Sequence, residues 1–267
     1  MKHHVHNVKR HHPLVPGLEA MSLLTEHAFP RHSHDQFGIG IFIQGAQHSW
    51  SNIGKVESSA GDIIMVNPGE IHDGIPLQGP RGWHMIYINP EVVAQELRDL
   101  SKVDDFVMRP VVSDQELRFH MRNLFTEINT ICPDRTAVEE AFLLCLMRVT
   151  HYHIFSKQQG KTYSPAIALA KQYLDDSPEE KVTLSMLSSL CGVSRFQLIR
   201  GFSRETGVTP HAYLVQSRVR LARRLLLEGK KITDTALVAG FADQSHLTRA
   251  FQKQFGITPG HYVASAK

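Results

Sequence analysis

One pattern occurs twice near the end of the chain, and it restricts what that half can fold into more than any other feature. Leu198-x-Arg200-x-Phe202, followed by Gly207-Val-Thr-Pro210-x-x-Tyr213, recurs 49 residues later as Leu247-x-Arg249-x-Phe251, followed by Gly256-Ile-Thr-Pro259-x-x-Tyr262. In each copy Leu and Phe fall four residues apart on one helical face, and the Arg between them lies on another. The glycine suits a left-handed helix end, and the proline after it cannot continue that helix. Two copies are too few for a solenoid, so they read as two instances of one binding unit. An outward Arg on a short, turn-bounded helix is what reading DNA bases requires.

A second short helix and a tight turn precede each copy. Thr183 is expected to cap Leu184 to Cys191, Gly192 to make the turn, and Ser194 to cap a helix running to about Thr206. In the second copy Thr233 is the expected cap for Asp234 to Ala239, Gly240 the turn, and Asp243 the cap of a helix to about Phe255. Helix, glycine-containing turn, helix is a helix-turn-helix unit. Between the copies Pro210 to Glu228 reads as one helix, with Pro210 in its first turn and Gly229 beyond its end. At about 1.5 Å per residue it spans roughly 28 Å. Successive major-groove faces are roughly 34 Å apart, so one chain can present two recognition helices one turn apart.

These residues resemble the AraC family of bacterial transcription regulators. From about Ser164 to Tyr262 the chain carries Gly192-Val-Ser194, Thr209-Pro210, Arg218-Val-Arg220-Leu-Ala-Arg223-Arg224, Gly240-Phe241-Ala-Asp243-Gln244-Ser245-His246 and Phe255-Gly256-Ile-Thr-Pro259. The resemblance implies a double helix-turn-helix domain bound to double-stranded DNA. The expected DNA contacts are Ser194, Arg195, Phe196, Ile199 and Arg200 in the first reader, and Gln244, Ser245, Thr248 and Arg249 in the second. Charge agrees independently. Residues 160–267 carry 15 Lys and Arg against 8 Asp and Glu, a net charge of +7, whereas residues 1–159 carry 14 against 18, a net charge of −4. The basic surplus sits in the half with the helix pairs, as phosphate neutralisation requires.

The first 100 residues have a different rhythm. Short apolar runs at Phe37 to Ile43, Ile63 to Val66 and Met85 to Ile88 alternate with turn signals at Gly45, Ser51-Asn52, Asn67-Pro68-Gly69 and Gly79-Pro80. That pattern predicts a small antiparallel β-barrel or sandwich. His32-Ser-His34 precedes one strand, and Gly61-Asp-Ile-Ile-Met-Val-Asn-Pro68-Gly69-Glu-Ile-His72 contains a second strand, a turn and another histidine. From Phe29 to Ile88 this resembles the two motifs of a cupin barrel, the sensor half that AraC-type regulators carry. In a metal-binding cupin these histidines would be three of four ligands. The acidic ligand is missing, since Gly38 and Ile39 stand where it is expected. Three histidines alone can still bind a metal. The reading adopted from sequence assigns no metal and no cofactor, and gives His32, His34, Trp50 and His72 to a small organic effector. Trp83 and Tyr87 are further candidates for the barrel mouth.

Residues 1–20, with His3, His4, His6, His11 and His12, read as a mobile arm. Two helical patterns lie within 114–156: one stripe has Leu117, Met121, Leu124, Phe125 and Ile128, and the other has Val138, Phe142, Leu146 and Val149, widened by Leu143, Met147 and Ile154. Stripes this broad can pack on a barrel and leave apolar surface for a second copy, so a homodimer is expected. The domain reading is therefore 1–156 for effector binding and dimerisation, 157–163 as linker, and 164–267 for DNA binding.

No apolar run approaches the roughly 18 residues a bilayer span needs, and no signal-peptide core opens the chain, which points to the cytoplasm. Cys132, Cys145 and Cys191 are odd in number and lie in apolar helical patterns, so they read as reduced packing residues. The fold class is two-domain α+β, with an antiparallel cupin-like barrel and dimerisation helices followed by an all-α double helix-turn-helix. The function that explains both halves is a sequence-specific transcription regulator, an activator that meets RNA polymerase, gated by an organic effector and not an enzyme. A cupin metalloenzyme with an accessory DNA-binding domain, and a DNA-binding protein gated only by protein partners, are the alternatives.

Overall fold

The computed structural model describes residues 5–51, 53–97, 106–156 and 163–264. They form two compact units, one of residues 1–28 and 33–160 and a second, mostly helical one of residues 161–265 together with Phe29–His32. The expected linker at 157–163 falls almost wholly outside the described residues.

In chain order the strands begin with β1 (His6–His11), β2 (Leu18–Thr25), β3 (Phe29–His32), β4 (Phe37–Ser51), β5 (Gly54–Ser59), β6 (Ile63–Val66) and β7 (His72–Ile88), all but β3 in the first unit. Then come α1 (Pro90–Glu96), β8 (Phe106–Met108), β9 (Val111–Val112), α2 (Gln115–Ile128), α3 (Arg135–Tyr152) and β10 (Ile154–Ser156). Eight strands form one sheet in the order β1-β2-β7-β4-β6-β9, with β3 on β7 and β5 on β4; β8 and β10 form a separate ribbon. The expected barrel is thus an open sheet. Its end strands β1 and β9 are not joined by any ladder among the described residues, and β9 has only two residues with which to pair.

Three local expectations change. Within residues 1–20, read as a mobile arm, β1 pairs along the whole of its length with β2, from His6 opposite Thr25 to His11 opposite Ala20. Gly45 and Gly79-Pro80 do not end strands but lie inside the long strands β4 and β7, where the register shifts between Phe42 and Ala46. Gly45 has φ +72°, and a Cβ there would stand 2.6 Å from the Pro80 carbonyl oxygen, so the chain bends there with a residue lacking a side chain. Ile154 continues no helix, because α3 stops at Tyr152 and Ile154 pairs with Met108 in the ribbon.

One core joins one face of the sheet to the two helices. Ile39 and Ile41 of β4, Ile63 and Met65 of β6, and Ile86 and Ile88 of β7 alternate inward and meet Leu117, Met121, Leu124 and Phe125 of α2 and Val138, Phe142 and Leu146 of α3. Ile64 and Val66 are buried as well, so β6 is covered on both faces. Asp114 caps α2 through the amides of Glu116 and Leu117 and also receives Arg148 Nε at 2.8 Å and His153 Nε2 at 2.6 Å. Burial alone would raise the Asp114 carboxyl, but the hydrogen bonds from Arg148, the Leu117 amide and His153 outweigh it and hold the group well below the usual carboxylate range. Of the cysteines, Cys145 is buried, which pushes its thiol up to about 12 and keeps it unreactive. Among the described residues no helix is long and apolar enough to cross a membrane.

The second unit is helical: α4 (Pro165–Asp176), α5 (Leu184–Leu190), α6 (Arg195–Thr206), α7 (Pro210–Leu227), α8 (Ile232–Val238), α9 (Gln244–Phe255) and α10 (Pro259–Ala264). At about 1.5 Å per residue α7 is roughly 27 Å long. It is the shared spine of the unit, packing on α4, α6, α8, α9 and α10.

Candidate functional site

Each repeat builds a helix that buries one face and presents another. Leu198, Phe202, Leu247 and Phe251 are all 0% exposed. Tyr213 lies edge-on to Phe202 with ring centroids 5.5 Å apart, and Tyr262 repeats this with Phe251 at 5.3 Å. The repeated Leu, Phe and Tyr are therefore the packing of one unit made twice. Ser194 caps α6 by accepting from the Gln197 amide, and the Gln197 side chain accepts from the Ser194 amide, a reciprocal capping box. Asp243 caps α9 by accepting from the His246 amide at 2.7 Å. Gly207 and Gly256 end the two helices with φ +89° and +76°. One expected cap differs: α8 starts at Ile232 after Lys231, and Thr233 lies inside its first turn.

The expected base-reading residues share the solvent face of their helices. Ser194, Arg195, Phe196, Ile199 and Arg200 are exposed on α6, as are Gln244, Ser245 and Arg249 on α9. Thr248 is half-buried and its hydroxyl donates to the Gln244 carbonyl at 2.8 Å. Phe196 is 72% exposed, an apolar ring with no burial reason to stand at a helix start.

The basic run on α7 turns mostly inward, a division the sequence does not reveal. Arg220 donates to Asp175 at 2.8 Å, and Asp175 also accepts from the Tyr213 hydroxyl and from Lys171. Arg223 donates to the Tyr262 hydroxyl at 2.9 Å. Arg218 clasps the carbonyls of Pro178 and Glu180 at 2.7 and 2.8 Å. These three arginines hold α4, the segment after it and α10 onto the spine.

The three histidines singled out in the sequence come together. His32, His34 and His72 each offer a ring nitrogen within 4.8 Å of the others, with His32 and His34 buried and His72 half-buried. The turn between β6 and β7 sets this up. Glu70 accepts from the amide and side chain of Asn67, Asn67 bonds both ways with Met108, and the Gly69 amide donates to the His34 carbonyl at 2.7 Å. His72 Nδ1 lies 3.0 Å from the Glu70 carbonyl and His32 Nδ1 lies 2.7 Å from that of Pro30. A carbonyl only accepts, so both rings carry a proton on Nδ1. Burial pushes the His72 imidazole down to about 4, against the opposing bond to Glu70, so it is neutral near pH 7. Tyr87 packs beside His34 with ring centroids 5.2 Å apart.

Trp50 joins this region through its backbone, its amide donating to Asp73, the residue after His72, at 2.6 Å. Trp83 is a core residue, buried against Phe42, with the Arg81 guanidinium 5.1 Å from its ring. Arg81 is fully buried and donates to Gln47 and to the carbonyls of His27 and Gly74, and its inward register beside Trp83 is the one signal for this in the sequence.

A sheet domain with a histidine cluster, followed by two capped reader helices on one spine, defines a two-domain helix-turn-helix DNA-binding regulator. Residues 18–146 match the AraC-like ligand binding domain family and residues 187–265 match a helix-turn-helix domain family. The chain belongs to the AraC family of transcriptional regulators. It is 27% identical over 226 residues to the uncharacterized HTH-type transcriptional regulator YbfI of Bacillus subtilis (strain 168), across 82% of this chain and 81% of that protein. It is 24% identical over 245 residues to the HTH-type transcriptional activator RhaS of Pectobacterium carotovorum, across 87% and 86%. Among solved structures it resembles unsaturated fatty acid bound wild-type ToxT from Vibrio cholerae, with TM-score 0.53 and 14% identity, covering 97% of this chain and 94% of that one. At that identity the likeness shows a shared two-domain fold.

Proposed function

We propose that this regulator is an activator whose DNA-bound activity is gated by a small organic effector held in the N-terminal unit near His32, His34, Trp50 and His72. The observation that carries the reading is the pairing, in one chain, of two exposed reader faces with a gathered set of buried polar rings that packing alone does not require. ToxT is known with an unsaturated fatty acid bound and RhaS is an activator, and both support the same reading for this chain. Activation implies contact with RNA polymerase, and action on DNA implies the cytoplasm. No step of chemistry is needed to explain either half, so the protein acts as a regulator and not as an enzyme.

A homodimer is part of the proposal. Phe119 on α2 and Met147 on α3 are 66% and 63% exposed, large apolar groups on the two helices whose opposite faces fill the core. A second copy would cover them and place two pairs of readers on one operator.

The test is a thermal-shift screen of the full-length protein against small metabolites, followed by DNA-binding and transcription assays with any ligand found. A ligand that binds the folded state raises its stability with concentration, and gating further requires unequal affinity for the active and inactive arrangements. A tenfold change in DNA affinity needs about 1.4 kcal/mol of such difference. A stabilising ligand that changes neither DNA affinity nor transcription would refute gating.

A further inference from the structure

We infer that the two readers work by different chemistry: Phe196 and Ile199 of α6 select thymine through its 5-methyl group, while Gln244 of α9 selects adenine through hydrogen bonds. α6 begins at Arg195 and α9 at Gln244, so the repeat of 49 residues sets the faces of the two helices in register. Arg200 then matches Arg249, and both copies keep an arginine there. Around it the copies part: Phe196 matches Ser245, Ile199 matches Thr248 and Arg195 matches Gln244. One face is apolar where the other is polar.

Exposure makes this a difference in binding and not in packing. Phe196 and Ile199 are 72% and 40% exposed and lie three residues apart on one helical face, while Leu198 and Phe202 fill the core on the other. Arg200 follows Phe196 by one turn on the same face, so a cation stands beside the ring. A face both basic and apolar, in the half of the chain with net charge +7, fits the major groove. There the base edges carry one kind of apolar group, the thymine 5-methyl. A phosphate offers an aromatic ring nothing to bury against.

On α9 the same places call for polar partners. Gln244 is exposed in the first turn, and its amide carries the donor and the acceptor that match adenine N7 and N6 together. The Thr248 hydroxyl donates to the Gln244 carbonyl at 2.8 Å, which turns its proton back onto the helix. The operator is therefore not a plain repeat. Each half offers a guanine to its arginine, but a methyl group sets the first half and an adenine edge the second. These assignments rest on the reading of α6 and α9 as the helices that meet base edges.

The test uses full-length protein, without effector, on a duplex selected from a randomised library. The guanine preferences lost in Arg200→Ala and Arg249→Ala mark which half each helix reads. Deoxyuridine in place of thymine removes only the methyl, and in the α6 half it should weaken binding about fourfold per contacted position, the worth of burying one methyl group. Where cytosine replaces that thymine, a 5-methyl on the cytosine should regain the same factor. Phe196→Ala should abolish the response to deoxyuridine and leave the salt slope as in the wild type, since the ring displaces no counterion. 7-Deazaadenine lacks the N7 acceptor and should weaken binding in the α9 half about fivefold, the lower end of what a bidentate pair is worth, and Gln244→Ala should abolish that effect. Both side chains are exposed, so both variants should unfold at the wild-type midpoint. If the library yields no preferred sequence, or neither arginine variant alters the motif, the base-contact reading fails and these assignments with it. If the arginine variants alter the motif but deoxyuridine is tolerated throughout, Phe196→Ala responds to it as the wild type does, or 7-deazaadenine is tolerated in the α9 half, the readers stand and the division of chemistry between them is overturned.

Discussion

The Nε of Arg223 donates to the phenol oxygen of Tyr262 at 2.9 Å, tying the spine helix α7 to α10, the helix that follows the second reader. In the first copy the matching Tyr213 donates to Asp175 instead, and Arg220 reaches the same carboxylate. The two copies thus share their packing and differ in how each tyrosine hydroxyl is satisfied.

That relationship separates stability from DNA contact. Arg223→Ala should destabilise the protein by about 1.5–3 kcal/mol, the range for a hydrogen bond to a charged group. It should leave the slope of log affinity against log salt as in the wild type, because a group turned to Tyr262 releases no counterion from DNA. Denaturant unfolding and salt-titrated DNA binding measure the two effects. A slope lowered by about one would reassign Arg223 to a phosphate.

Arg200 and Arg249 occupy the same place in the two copies and are exposed. Each is expected to read guanine, so Arg200→Ala and Arg249→Ala should each cost roughly 1–3 kcal/mol of discrimination at one position of its half-site. Selection from a randomised operator library reads this directly. Equal weakening on every sequence would mark the residue as a phosphate contact.

What was legible in the sequence was mostly local. Ser194, Asp243, Gly207 and Gly256 act through bonds and dihedral angles within a few residues, and their places in the structure follow from residue type. Thr233 shows the limit even there, since α8 begins two residues earlier, after Lys231, with no side-chain cap. Long-range pairing was not legible. The order β1-β2-β7-β4-β6-β9 and the pairing of Ile154 with Met108 depend on segments far apart in the chain. The meeting of His34 with His72 followed only from the cupin resemblance. The inward turn of Arg218, Arg220 and Arg223 was likewise hidden, because charge alone does not say whether its partner is protein or phosphate.

Acid should act on the first unit through Asp114. Its folded-state pKa is depressed, so the stability it contributes is fully present above the unfolded value of about 3.9 and is lost as pH falls toward the lower folded value. Unfolding followed from pH 6 to pH 2 should show this loss, and Asp114→Asn should flatten the dependence while lowering stability at pH 6. A wild-type curve that the substitution leaves unchanged in shape would remove Asp114 from the account.

The turn glycines of the two helix pairs should respond unequally to the same substitution. Gly192 and Gly240 have φ +65° and +80°, so Ala at either position carries the left-handed penalty of about 1–2 kcal/mol. Nothing lies within 4 Å of a Cβ on Gly192, whereas one on Gly240 would stand 2.6 Å from the Glu179 carbonyl oxygen and 2.9 Å from its Cα. Backbone cannot yield as a side-chain tip does, so α8 or the segment around Glu179 has to shift. That segment is the one Arg218 holds through Pro178 and Glu180. Gly240→Ala should therefore cost about 1–3 kcal/mol more than Gly192→Ala, the usual cost of overpacking. It should also weaken DNA binding more, because α8 sets the position of α9. Denaturant unfolding of the two variants side by side, with DNA titration, measures both, and equal losses would show that the contact with Glu179 does not constrain the turn.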